Sequence, residues 1–250
     1  MWAYLTLTRR ELGGHFGSLR GYVIIAGAQL LLGLILWQIL ILRRGEFYDT
    51  PISEEFPRQV AFWVVVLLIS PLITMRTFAQ EKATGTYETL MTAPVSDLQV
   101  VLAKFTGSLL FFLATFTPAL CWPVLFHYYT LDFGEIDHGL LFGLLLGISL
   151  IGSMLCSLGC FASSLTRSQI IAATTSFVLG MGFFILGLLA FQHQGETGWQ
   201  ASLLGHVSMR DHLRAFAAGI VDARHVVFYI SLTSLFLFFT LKVLESRRWR

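Results

Sequence analysis

Residues 139–166 read Gly139-Leu-Leu-Phe-Gly143-Leu-Leu-Leu-Gly147-Ile-Ser149-Leu-Ile-Gly152-Ser153-Met-Leu-Cys156-Ser-Leu-Gly-Cys160-Phe-Ala-Ser163-Ser-Leu-Thr166. The run contains no Asp, Glu, Lys, Arg or Pro. About 20 such residues suffice for a helix to cross a bilayer, so this stretch is expected to span one. Five more charge-free stretches follow the same logic: Gly21–Leu42, Gln59–Met75, Phe105–Leu131, Ser168–Gln192 and His225–Leu241. The two shortest qualify because flanking Arg58, Arg76, Arg224 and Lys242 can snorkel to the interface. In hydrocarbon the backbone must satisfy its own hydrogen bonds, and strict two-residue alternation is absent, so helices are expected rather than a barrel.

Composition agrees. Of 250 residues 55% are hydrophobic and 13% charged, with a mean hydropathy of +0.70. An ordinary soluble domain carries about twice that charge. The balance excludes a disordered chain, a nucleic-acid-binding domain and a typical soluble enzyme, and a net charge of +2 calls for no polyanionic partner. The expected fold is an all-α membrane protein, one domain over 1–250. Its spans lie near 21–42, 59–75, 105–128, 140–164, 169–192 and 225–242. Residues 76–104 form an inner loop and 193–224 an outer segment.

Residues 1–20 hold Arg9, Arg10, Glu11 and Arg20, so they lack the apolar core of a signal peptide. Trp2, Leu5, Leu12, Phe16 and Leu19 recur at near-helical spacing, which predicts an amphipathic helix lying on the membrane. Six crossings place both termini on one side. That side carries eleven of the 17 Lys and Arg residues: Arg9, Arg10, Arg20, Arg76, Lys82, Lys104, Arg167, Lys242, Arg247, Arg248 and Arg250. The positive-inside rule therefore assigns both termini to the cytoplasm.

No span interior carries a fixed charge, which argues against a proton relay or a dedicated ion route. Gly143, Gly147, Gly152, Cys156 and Cys160 form a small-residue stripe, suited to close packing within the bundle or against a second copy. The three cysteines lie in apolar runs and predict neither a disulfide framework nor a metal site. Pro71, Pro118 and Pro123 are expected to shape the bundle, with a hinge as the alternative. The histidines form no ligand pattern and are expected to be exposed or interfacial, without a metal. No P-loop, Gly-x-Ser-x-Gly or His-Glu-x-x-His is present.

The inner loop is the most structured polar segment. Thr86 can cap a short helix with Glu88 in its first turn, and Pro94 stops that helix. Ser96-x-x-Gln99 is a capping box that should start a helix running through Lys104 into the third span. Leu90, Met91 and Val95 give the loop apolar knobs. Physics alone leaves open whether this is a docking element or an ordinary turn at the membrane surface.

The run from Thr74-Met-Arg-Thr-Phe-Ala-Gln-Glu81-Lys to Gly85-Thr86-Tyr-Glu88-Thr-Leu90-Met-Thr-Ala-Pro94-Val-Ser96 resembles the permease subunit of type-2 ABC transporters. Within that family it is most similar to the branch of gliding-motility and copper-enzyme-maturation permeases. Arg9-Arg10-Glu11-Leu with Phe16-Gly-Ser18, Ser163-Ser-Leu-Thr166-x-Ser-Gln169, and Asp211-His212-Leu-Arg-Ala-Phe216-Ala-Ala-Gly219-Ile-Val-Asp222 extend the likeness. Gln80 stands where an acid is common, and Tyr87 where a smaller aliphatic is common.

The resemblance implies a non-catalytic permease in a prokaryotic inner membrane, part of an ATP-driven exporter. ATP and Mg would be bound by a separate ATPase, present in two copies, and no cofactor by this chain. A second copy or a homologous permease would complete the pathway. Glu81, Gly85, Thr86, Glu88, Leu90, Pro94 and Ser96 would form the coupling helix that meets the ATPase. Gly85 would supply a positive φ at the turn into that coupling helix. Arg9, Arg10, Glu11 and Phe16 would belong to an elbow helix. The outer segment would be a gate or a cover. Two other readings share the six spans: an intramembrane enzyme built on Ser153, and a membrane anchor that does not transport.

Overall fold

The computed structural model describes residues 2–42, 52–86, 95–129, 138–192 and 205–248. Among them every regular element is helical. The helices are α1 (Trp2–Phe16), α2 (Leu19–Leu42), α3 (Ile52–Arg58), α4 (Val60–Thr74), α5 (Ala79–Thr84), α6 (Asp97–Tyr129), α7 (His138–Leu165), α8 (Gln169–Gln192), α9 (Met209–Ala217) and α10 (Ala223–Arg248). Six helical segments are long and apolar enough to cross a membrane, one for each expected stretch. The protein is thus an all-α membrane protein. One end of the bundle, here the terminal end, gathers α1, α5 and the start of α6. The distal end carries α3 and α9.

The local signals act as their chemistry requires. Ser96 and Gln99 form a reciprocal capping box: the Gln99 N–H donates to Ser96 Oγ at 3.3 Å, and the Ser96 N–H to Gln99 Oε1 at 3.4 Å. From there α6 runs without a break through Lys104 and past Pro118 and Pro123. Gly85 closes α5 at φ 75°, a conformation that other residues rarely adopt. Residues 87–94, including Glu88, Leu90 and Pro94, lie outside the described residues, as do residues 193–204.

The core sits where α4, α6 and α7 meet. Trp63, Leu67, Ile73, Phe112, Phe116, Ile151 and Met154 are all fully buried there. Glycines on α7 set how near the neighbours come. A Cβ at Gly152 would overlap the Phe112 ring, and one at Gly159 would overlap the Thr74 side chain. Gly143 and Gly147 pack instead on α9: a Cβ at Gly143 would overlap the Phe216 carbonyl oxygen, and one at Gly147 would lie 2.7 Å from Leu213 Cδ1. The upper part of the stripe is therefore filled from within the chain.

The face that α1 turns to α6 is mixed: Tyr4 donates to Thr106 Oγ1 at 3.1 Å, Glu11 lies against the bare Gly107, and His15 and Phe16 meet the Phe111 ring. Leu5 is 55% exposed and Leu19, at the start of α2, 81%. One expectation is corrected: the histidines are not uniformly exposed. His212 is 1% exposed, because it falls on the buried stripe of α9 formed by Met209, His212, Leu213, Phe216 and Ala217.

Candidate functional site at the terminal end

The segment that follows α4 is held by α7. Ser163, near the C-terminus of α7, receives the backbone N–H groups of Phe78 and Ala79 on its Oγ at 3.1 and 3.0 Å. The same hydroxyl donates to the Met75 carbonyl at 3.1 Å. One side chain thus satisfies three backbone groups at the turn from α4 into α5, all in a buried place where an unpaired group is expensive. Lys82 adds a further tie by donating to the Ser164 carbonyl.

Removing the Ser163 hydroxyl should be felt. Ser163→Ala leaves two buried N–H groups without their acceptor, which predicts a loss of about 1–3 kcal/mol. Thermal unfolding in detergent should show a lowered midpoint, and hydrogen exchange should show faster exchange at Phe78 and Ala79. An unchanged midpoint together with unchanged exchange at those amides would mean the hydroxyl is dispensable.

Beside this turn lies a four-residue ionic box. Lys104 Nζ reaches Glu81 Oε1 at 2.8 Å and Glu11 Oε1 at 3.1 Å. Arg10 Nη2 stands 3.3 Å from the same two oxygens. The Lys104 side chain is only 3% exposed, and its ammonium also faces the fully buried Phe78 ring, 5.4 Å from the centroid. Two acids and two bases balance, and three separate elements, α1, α5 and α6, supply them. The exposed Arg10 leg adds little by itself, whereas the buried ammonium demands both carboxylates. Glu81 Oε2 is buried without a partner in the described structure.

The expected site residues are distributed as follows. Glu81 belongs to the box together with Arg10 and Glu11 of the expected elbow helix. Gly85 ends α5, and the Thr86 hydroxyl lies 2.9 Å from that of Thr84. Ser96 caps α6. Phe16 packs edge-on against Phe111 at 5.0 Å, and His15 stacks on the same ring at 4.8 Å. Burial holds the His15 imidazole below its ordinary range, opposed by the nearby Glu11 carboxylate. Arg9 is exposed on α1. Glu88, Leu90 and Pro94 are outside the described residues.

Lys104, Lys82 and Ser163 were not picked out as site residues from sequence. The signal for Lys104 was a lone cation directly before the apolar run that starts at Phe105. Ser163 stood only within a motif. Elsewhere, the Ser153 hydroxyl donates to the Leu150 carbonyl at 2.7 Å and lies 3.1 Å from Thr233 Oγ1. No imidazole or carboxylate is placed to activate it among the described residues.

The arrangement has the character of a mechanical node: a loop-proximal helix tied to the N-terminal helix by charge and to α7 by hydrogen bonds. A family model described as ABC-2 family transporter protein matches residues 57–203. No curated protein matches the chain at a significant level. The match covers more than half of the chain, from the end of α3 through α8, and includes Glu81, Lys104 and Ser163 of the node but not α1, so the chain belongs to the ABC-2 transporter family, as a membrane-embedded permease subunit.

Proposed function

We propose that this chain is the passive half of an ATP-driven exporter, worked from its terminal end by a separate ATPase. The ionic box carries the reading. Glu81 stands four residues before the loop turn at Gly85, and it is joined through Lys104 to α6 and through Lys104 and Arg10 to α1. A push on residues 85–96 would therefore reach α1, α6 and α7 together. This is what a coupling element requires: a nucleotide-driven contact that biases a two-state bundle. Both termini and the node face the cytoplasm in this reading, as the charge distribution across the spans implies. The apolar stripe of α1 lies in the membrane interface, and a second permease completes the pathway.

The test uses the loop outside the box. Glu88→Arg and Leu90→Arg should each reduce co-purification of the P-loop ATPase at least tenfold, while the permease still inserts in the membrane at normal levels. ATPase association that survives both substitutions would remove the coupling-helix assignment.

A further inference from the structure

The distal end holds a cluster that the ATPase reading does not use. His212 of α9 and His225 at the start of α10 stack with ring centroids 3.9 Å apart and planes inclined by 27°. His212 Nδ1 lies 3.2 Å from the Tyr229 hydroxyl, and the Phe228 ring stands edge-on at 5.6 Å. Among the described residues His212 Nε2 and His225 Nδ1 are buried with no hydrogen-bond partner, although the Gly205 backbone favours a proton on His212. Few other tertiary contacts of α9 reach α10, so this aromatic stack is the principal tie between them. Below the stack, Leu213 and Phe216 occupy the groove left by Gly143 and Gly147.

We propose that His212 and His225 form an acid-opened latch that seats α9 in the glycine groove. The stack is compatible with two neutral rings. Protonation of both would set two cations face to face, one of them on the fully buried His212. The surrounding charges do not rescue the cation. Asp222 attracts a proton on either ring, but its carboxylate is exposed and already accepts the Arg224 N–H at 2.8 Å. His206, Arg224 and Asp211 are the other ionisable groups near the stack. From the other elements packed on α9, α3 brings Glu55 and Arg58, which pair with each other at 3.1 Å. Residues 139–165 of α7 and all of α8 carry no charged side chain.

Burial, followed by repulsion from His225, holds His212 down to about 4, against an ordinary value of 6.5. A released His212 binds a proton more readily than a seated one. The seat is therefore fully stable above pH 6.5 and weakens as the pH falls toward 4. Release is possible about one hinge: Gly219, at φ 77°, ends α9, with the Ile220 N–H returning to the Ala215 carbonyl.

The experiment is hydrogen exchange on the full-length protein in zwitterionic nanodiscs at pH 7.5, 6 and 5, corrected for intrinsic rates. Protection of residues 209–217, relative to 154–160, should fall roughly 30-fold between pH 7.5 and 5. His212→Phe, which keeps a ring in the slot without a titratable group, should show less than a threefold change. Should that variant fail to fold, His212→Asn serves, since it can still meet the Tyr229 hydroxyl. A flat profile in the native protein, or an equal fall in a folded variant, would overturn the latch.

Discussion

Replacing Lys104 by methionine should destabilise the protein by about 3 kcal/mol, the lower end of what breaking a buried ion pair costs. Methionine fits the space and keeps the contact with Phe78, so the loss is electrostatic. Glu11 and Glu81, each more than four-fifths buried, would then face one another with only the exposed Arg10 between them. The triple variant Lys104→Met, Glu11→Gln, Glu81→Gln removes the unpaired charges as well and should recover most of the loss. SDS-driven unfolding of the three constellations provides the comparison. If the single and triple variants unfold alike, the box contributes no pairing energy. Hydrogen exchange in residues 2–16 should rise in the single variant, because α1 loses one of its anchors on α6.

Gly159→Leu should have the other large effect. Even the first carbon of the new side chain would overlap Thr74, whose hydroxyl already donates to the Ser70 carbonyl inside α4 at 2.8 Å. There is no flexible tip to give way; Thr74 is β-branched and fully buried. Overpacking of this kind costs about 1–3 kcal/mol and occasionally more, and here α7 would have to leave α4 next to the Ser163 turn. The expected result is low yield of folded protein, with faster exchange at Phe78 and Ala79. Thr74→Ala in the same chain should restore part of the stability. Absence of any such rescue would mean the two positions do not meet.

What could be read in advance follows a physical line. The six spans were legible because each apolar run is long enough to cross hydrocarbon, and membrane burial leaves helix as the only choice. The capping box at Ser96 and Gln99 and the turn at Gly85 were legible because each depends on residues within a few positions. The ionic box was not. Glu11 and Lys104 are 93 residues apart, and Glu81 and Arg10 are 71 apart, and a charge carries no mark of its partner. The same holds for the glycine stripe: its spacing promised a close neighbour without saying whose. His212 was misjudged because its exposure depends on which face of α9 meets α7, a matter settled by Leu213 and Phe216 rather than by the histidine. Likewise nothing local to α1 shows that Tyr4 and Glu11 meet Thr106, Gly107 and Lys104 of α6.

The filled groove on α7 also limits how two such chains can be brought together. Phe216 and Leu213 already occupy the seam at Gly143 and Gly147, so a cysteine introduced there would report an intrachain tether and not a neighbour. The companion permease of the proposed pairing would approach along an open flank, such as that of Leu30, Leu34 and Trp37 or that of Ile170 and Val178. Inter-subunit cross-linking scans belong on those flanks.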